Sequence, residues 1–364
     1  MKKRILSLLL ALVMLATLLP LGLYDTAWAA EVSETAEAAE IASGSCGAGG
    51  VEDSSVRWVL TDDGTMTISG TGAMCDRETP WRDFSSQINR VVIESGVTTV
   101  GSYAFSNCDN LTAAELPGTL TAIGDYAFAW SGIAEITIPD GVVTIGAGAF
   151  QETKLVDVVI PDSVTTIGES AFRYCEEMKT LHLGSGLTTV EGYAFDRCEA
   201  AVTLSVDNRA FVLEDNALLN AEKTRLIQYF EGPADTDRAK TYTIPTGVEE
   251  ICSGAFDCCD DLKTIVIPDT VQRIGQEAFG QCDNLEELTI PASVTQIEDN
   301  AFYFNVYPVH VAAENTVYCS ENGVVYSKNK DTLITPALLS ARIAFPTVLS
   351  PSGRPLRPEL PLPA

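Results

Sequence analysis

Ala-Phe recurs eight times at a nearly fixed spacing, and this periodicity constrains the fold more than any other feature of the chain. The pair stands at Ala104-Phe105, Ala127-Phe128, Ala149-Phe150, Ala171-Phe172 and Ala194-Phe195, then at Ala255-Phe256, Ala278-Phe279 and Ala301-Phe302. Steps of 22 or 23 residues separate neighbours, apart from one gap of 61. A short apolar segment such as Val164-Thr165-Thr166-Ile167-Gly168 precedes each pair, and a strand-like one such as Leu262-Lys263-Thr264-Ile265-Val266-Ile267-Pro268 follows. A fixed period of this length marks a chain built from stacked coils.

In the pattern L-x-x-I-x-I the fourth and sixth residues point the same way, because strand side chains alternate. Proline then ends the pairing, having no N–H to donate, at Ile138-Pro139, Ile160-Pro161, Ile244-Pro245, Ile267-Pro268, Ile290-Pro291 and the variant Leu116-Pro117. The glycine ahead of x-x-Ala-Phe suits a turn with unusual backbone angles, while Ala permits close approach and Phe fills the interior. One coil buries a few apolar side chains at about 1.5–3 kcal/mol each. Ordering some 22 residues at about 1–2 kcal/mol each outweighs that, so a coil folds only when stacked on others. At about 4.8 Å per coil, eight would span roughly 40 Å.

The motif I-P-x-x-V-T-x-I-G-x-x-A-F-x-x-C-x-x-L-x-x-I-x-I resembles the BspA-like leucine-rich repeats of bacterial surface proteins, over about 88–305. Residues 46–87 resemble the cap that often precedes such repeats, with Trp58-Val59-Leu60, Asp63-Gly64 between two alternating runs as a hairpin signal, and Pro80-Trp81. Trp81 reads as a core plug, with a ligand-stacking role as the alternative. Inside the long gap, Asn216-Ala217-Leu218-Leu219 and Thr224-Arg225-Leu226-Ile227 read as a hairpin, and Asn322-Gly323-Val324-Val325 with Thr332-Leu333-Ile334 as a second. The resemblance implies a mainly β, right-handed leucine-rich-repeat solenoid of about eight coils of 22–23 residues, with an N-terminal β cap and two hairpin insertions.

The expected divisions are a signal peptide at 1–29, a disordered acidic leader at 30–45, the cap at 46–87, repeats at 88–206 and 241–311, hairpins at 207–240 and 312–335, and a tail at 336–364. The signal is read from Met1-Lys2-Lys3-Arg4, the apolar run Ile5–Leu23 and the small-residue site Ala27-Trp28-Ala29; retention as a membrane anchor is the alternative. The leader is rich in Ala, Glu, Ser and Thr and lacks aromatics. The tail holds seven of the 17 prolines and carries Arg342, Arg354 and Arg357 against Glu359. A shifted frame across Ala344–Leu356 is compatible with Ile-Pro-Asp-Ser-Val-Val-Thr-Ile-Gly, although the next Phe cannot be encoded. A frame change near 335 is therefore expected, with a native Pro-rich tail as the alternative.

The net charge is −27, and −29 once Lys2, Lys3, Arg4 and Asp25 leave with the signal. Such a surface disfavours nucleic acid and anionic membrane as partners. It permits basic or calcium-bridged ones. No membrane insertion is expected after signal cleavage, and the chain is expected to be a monomer that is secreted or held at the cell surface.

Five of the 10 cysteines, Cys108, Cys175, Cys198, Cys259 and Cys282, lie three residues after the repeat Phe, where other coils have Ser131, Thr153 and Asn305. They read as a structural ladder of free thiols bonded to turn carbonyls; bridging of neighbours such as Cys175 and Cys198 is the alternative, and Cys46 with Cys75 is the best disulfide candidate. Metal-ligand spacings are absent and His182 and His310 are far apart in sequence. Asp109-Asn110, Asp260-Asp261 and Asp283-Asn284 read as Asx turns before calcium ligands. No nucleophile or phosphate-loop motif stands out, so neither catalysis nor a cofactor is expected.

The outward strand positions form the candidate ligand face. Position 3 gives Arg90, Ala113, Glu135, Asp157, Thr180, Thr203, Thr264 and Glu287; position 5 gives Val92, Glu115, Thr137, Val159, His182, Ser205, Val266 and Thr289. Strand propensity alone would also place Thr and Val there. The expected function is recognition or adhesion towards an extracellular protein or glycan. The alternatives are a non-catalytic targeting region of a larger secreted enzyme and a structural envelope protein.

Overall fold

The computed structural model describes residues 38–232 and 240–334. The expected signal peptide and the Pro-rich tail lie outside them, as does the first half of the expected leader. The chain is a mainly β solenoid of about ten turns, eight with the Ala-Phe pair and two built around the hairpins. Among the described residues, no helix is long and apolar enough to cross a membrane.

Each coil contributes to parallel ladders. The first runs through Thr65–Gly70, Arg90–Ile93, Ala113–Glu115 and Glu135–Ile136. The second joins the short segments Val97–Val100, Ala122–Ile123, Thr144–Ile145, Thr166–Ile167 and Thr189–Val190. At the third corner, the repeat Phe residues that have another Ala-Phe coil directly after them donate their N–H to its Ala carbonyl, as from Phe105 to Ala127 at 2.7 Å and from Phe150 to Ala171 at 2.7 Å. The rings consequently stack: Trp81, Phe105, Phe128, Phe150, Phe172 and Phe195 follow one another at 5.2–5.6 Å. Trp81 begins this row as a buried plug, and its Nε1 donates to the Ala104 carbonyl at 2.7 Å.

The cap is a meander of Glu40–Ser45, Val56–Thr61 and Thr65–Gly70, whose last strand pairs in parallel with the first coil. Order thus begins earlier than expected. Residues 40–45, assigned to the disordered leader, are paired with Val56–Thr61, and backbone pairing outweighs their weak composition.

The repeat glycine works differently from the expectation. Gly101, Gly124, Gly146, Gly168 and Gly275 do not have positive φ. They are needed for close approach: a Cβ on Gly124 would lie 2.7 Å from the Ser102 nitrogen and 2.8 Å from the Val100 carbonyl oxygen. The left-handed residues sit two before and two after each Phe. Tyr103 and Asn107 flank Phe105 at φ 63° and 59°, and Glu277 and Gln281 flank Phe279 at 51° each.

At the long gap, Phe211–Glu214, Ala217–Asn220 and Arg225–Tyr229 form an antiparallel meander. Arg225 and Leu226 then pair in parallel with Glu250 and Ile251, restarting the short ladder. The core divides here into two clusters. Across the join, Tyr193 Oη donates to the Gln276 carbonyl at 3.0 Å, and its ring lies where a Cβ on Gly254 would stand, at 2.4 Å.

Candidate ligand-binding face

The ladder register determines which side chains share the outer face. Pairing of Asp157–Ile160 with Thr180–Leu183 sets Asp157 beside Thr180 and Val159 beside His182. Alternation buries Val158, Ile160, Leu181 and Leu183 and turns the other residues outward. Thr180 Oγ1 donates to Asp157 Oδ1 at 2.6 Å, and His182 Nδ1 lies 2.9 Å from Thr203 Oγ1. Here the sequence register is corrected by two residues. Thr180 pairs with Ala201 and His182 with Thr203, so Thr203 occupies position 5 and Ser205 lies beyond it. This step is 21 residues long, shorter than the others, and a shift of two keeps Thr203 on the same face.

The ladder is interrupted at its centre. Glu135–Ile136 and Asp157–Ile160 belong to different sheets, although Val156 N still reaches the Ala134 carbonyl at 3.3 Å. A cavity of about 560 Å³ opens at this break. Of the expected face residues it gathers Thr137, Asp157, Val159 and His182, and it adds Asp140 and Asp162 from the turns after the strands. Val159 is 60% exposed, unusual for an aliphatic side chain at a cavity wall. Asp162 accepts the Ser185 N–H at 2.6 Å; this bond holds its carboxyl below the usual carboxylate range. The lining carries three carboxylates and no Lys or Arg.

The other expected face residues fall elsewhere. Glu135 and Thr180 flank the cavity without lining it. Thr264 and Val266 belong to a separate strand pair beyond the meander, and Thr289 to the next, where Glu287 lies 3.7 Å from His310 Nε2. One continuous row was expected, but the face comes in segments. The meander and the break supply a reason that periodicity does not contain.

The ladder cysteines Cys108, Cys175, Cys198, Cys259 and Cys282 are buried, and all ten cysteines are free thiols. Cys175, Cys198 and Cys282 donate to the Phe carbonyl one coil back at 3.0–3.2 Å, whereas Ser131 and Thr153 bond the Phe of their own coil at 2.7 and 2.9 Å. Burial pushes the Cys108 thiol up to about 12. Cys46 and Cys75 are buried and unbridged, with Cys75 Sγ donating to the Glu78 carbonyl.

One cluster was not legible in the sequence. Asp196, Asp257 and Cys258 each bring a potential ligand atom within 4.8 Å of the others. Arg173 already stands among them, with Nε 2.7 Å from Asp196 and Nη2 3.6 Å from Asp257. Its guanidinium lies 4.8 Å from the Tyr174 ring and 5.0 Å from that of Tyr193. The group therefore reads as a charged join between the two cores, with Arg173 in the place a cation would take.

Comparison with known proteins agrees with this geometry. The family described as BspA type leucine rich repeat region matches in six copies, over residues 83–202, 143–231 and 234–339. A leucine-rich repeat protein from Eubacterium ventriosum is 31% identical, with a TM-score of 0.64, over 74% of this chain and 73% of that one. A leucine rich cell surface protein from Faecalibacterium prausnitzii is 23% identical, with a TM-score of 0.47, over 72% and 89%. No curated relative matches. The matching family is a repeat family and not a catalytic one, and this chain belongs to it: it is a BspA-type leucine-rich-repeat protein.

Proposed function

We propose that the chain is an extracellular recognition module that takes its partner on the outer strand face, centred on the break between Glu135–Ile136 and Asp157–Ile160. The observation that carries this reading is the cavity at that break, where Thr137, Val159 and His182 stand beside Asp140, Asp157 and Asp162. Carboxylates beside an exposed aliphatic side chain suit a protein or glycan partner that presents basic or hydroxyl groups around a small apolar contact. Export rests on the N-terminal basic cluster, apolar run and small-residue site.

The test is binding of the purified protein to immobilised extracellular matrix proteins and glycans, compared with the double variant Glu135→Lys, Asp157→Lys. The wild type binds at least one of them, and the variant binds it about tenfold more weakly or worse. Unchanged binding by the variant overturns the assignment to this face. Failure of the wild type to bind any of them favours a structural envelope role.

A further inference from the structure

A second cavity, of about 550 Å³, lies away from the strands, between the cap and the first two Ala-Phe turns. Its lining residues occupy the loop and 3-10 helix at 77–85, the turn at 103–108 and Trp130, none of them in a strand. Arg77 and Arg82 line it together with no carboxylate. Among the described residues neither guanidinium makes an ion pair or a side-chain hydrogen bond. In a chain of net charge −27, two unpaired arginines at one cavity are a departure that solubility does not require. The two acids that flank Arg77 in sequence are engaged elsewhere, Asp76 by the Ser102 N–H at 2.8 Å and Glu78 by the Val51 N–H at 3.1 Å, and Asp83, next to Arg82, does not line the cavity.

Aromatic rings complete the wall. Tyr103, 36% exposed, stacks on Tyr126 at 5.0 Å, and Tyr126 on Trp130 at 5.7 Å, forming an outer row beside the buried Phe ladder. Tyr103 and Trp130 both line the cavity, with Thr79, Ser85, Ser106 and Asn107 supplying hydroxyl and amide groups.

We propose that this cavity binds an anionic saccharide, one bearing a carboxylate or a sulfate ester. The guanidinium forks match such groups through paired charge-assisted hydrogen bonds. The C–H face of a pyranose ring packs on an aromatic ring, and its hydroxyls exchange hydrogen bonds with Ser, Thr and Asn. The volume falls within the usual range for small-ligand sites, about 300–1,000 Å³. An acidic peptide fits less well, because extended peptides are commonly held by exposed strand edges and this cavity offers none.

Calorimetric titration of the purified protein with digalacturonic acid, a sulfated disaccharide, lactose and a glutamate-rich peptide tests the proposal. Saturable binding of digalacturonic acid or the sulfated disaccharide is expected, and which of them binds identifies the anion. Lactose and the peptide bind about tenfold more weakly or not at all. Arg77→Ala with Arg82→Ala weakens saccharide binding about tenfold or more, as does Tyr103→Ala. All three residues are exposed, so folding is retained. Absence of binding by both anionic saccharides, preference for the peptide, or binding indifferent to Arg77 and Arg82 overturns it. Neither arginine lines the strand-face cavity, so the two proposals fail separately.

Discussion

Asn208 and Asn315 make the same set of hydrogen bonds in two distant coils. Each side-chain amide donates to two carbonyls of the preceding turn, Gly184 and Leu187 for Asn208, Pro291 and Val294 for Asn315, and each side-chain oxygen accepts two N–H groups just ahead, those of Ala210 and Phe211 or Val317 and Tyr318. Both open a hairpin-bearing coil whose tight turn, Asp215-Asn216 or Asn322-Gly323, has two consecutive positive φ values. Asn315→Leu leaves buried carbonyls and amides unpaired at about 1–3 kcal/mol each. A fall in denaturation midpoint of that order is expected; a loss below about 0.5 kcal/mol would show that the bonds are dispensable.

The Phe ladder carries the first core. Phe150 is fully buried, stacked on Phe128 at 5.4 Å and Phe172 at 5.2 Å. Phe150→Ala should cost about 3–5 kcal/mol in chemical denaturation, whereas Val159→Ala, at an exposed position on the same solenoid, should cost far less. Equal costs would contradict the placement of the core.

The glycine correction has its own test. Gly124 has ordinary φ, and the atoms a Cβ would meet are all backbone, which cannot swing aside as a side chain can. Gly124→Ala is expected to destabilise by about 1–3 kcal/mol. A stabilising effect, as predicted for a glycine whose only role is flexibility, would refute the close-approach account.

Stability should fall as pH rises from the ordinary carboxylate range to about 8. Burial, reinforced by the Asp196 charge, pushes the Asp257 carboxyl up to about 7, and burial pushes Glu231 up to about 8. Both hold their proton more tightly folded than unfolded, so their stabilisation is complete below the ordinary carboxylate range and is lost as pH rises through about 7 to 8. Carboxyls lowered by hydrogen bonds, such as Asp63 and Asp162, act at the acid end and leave this window alone. Thermal unfolding should show Tm declining from pH 5 to 9, with the decline reduced in Asp257→Asn. A Tm that rises across the window contradicts the burial of these groups.

Buried thiols should be inert. Burial raises Cys46 and Cys108 to about 12 and Cys252 to about 11, leaving almost no thiolate at neutral pH. A thiol reagent should label few of the 10 cysteines in the folded protein and all of them in denaturant. A count that stays low in denaturant would reveal disulfides.

The solenoid was legible because its constraint is local and repeated: Phe and Ala at a fixed period, proline after six of the repeat strands, and a small polar residue three after Phe. Trp81 as plug and the hairpin at Asn216 followed from composition and turn chemistry. Other features were hidden for physical reasons. The left-handed positions flanking Phe accept Tyr, Asn, Trp, Glu, Ser and Arg alike, so no residue type announces them. The Arg173–Asp196–Asp257 join forms only once the meander brings distant coils together. The break beside Glu135 leaves the repeat motif unchanged, so nothing in the sequence singles out Asp140 and Asp162.

Hydrogen–deuterium exchange of the protein with and without its matrix or glycan partner tests the central claim most directly. Recognition on the strand face predicts added protection at 135–140, 157–162 and 180–184, with the Ala-Phe turns unchanged. Protection confined to other segments, with these three unaltered, would contradict it.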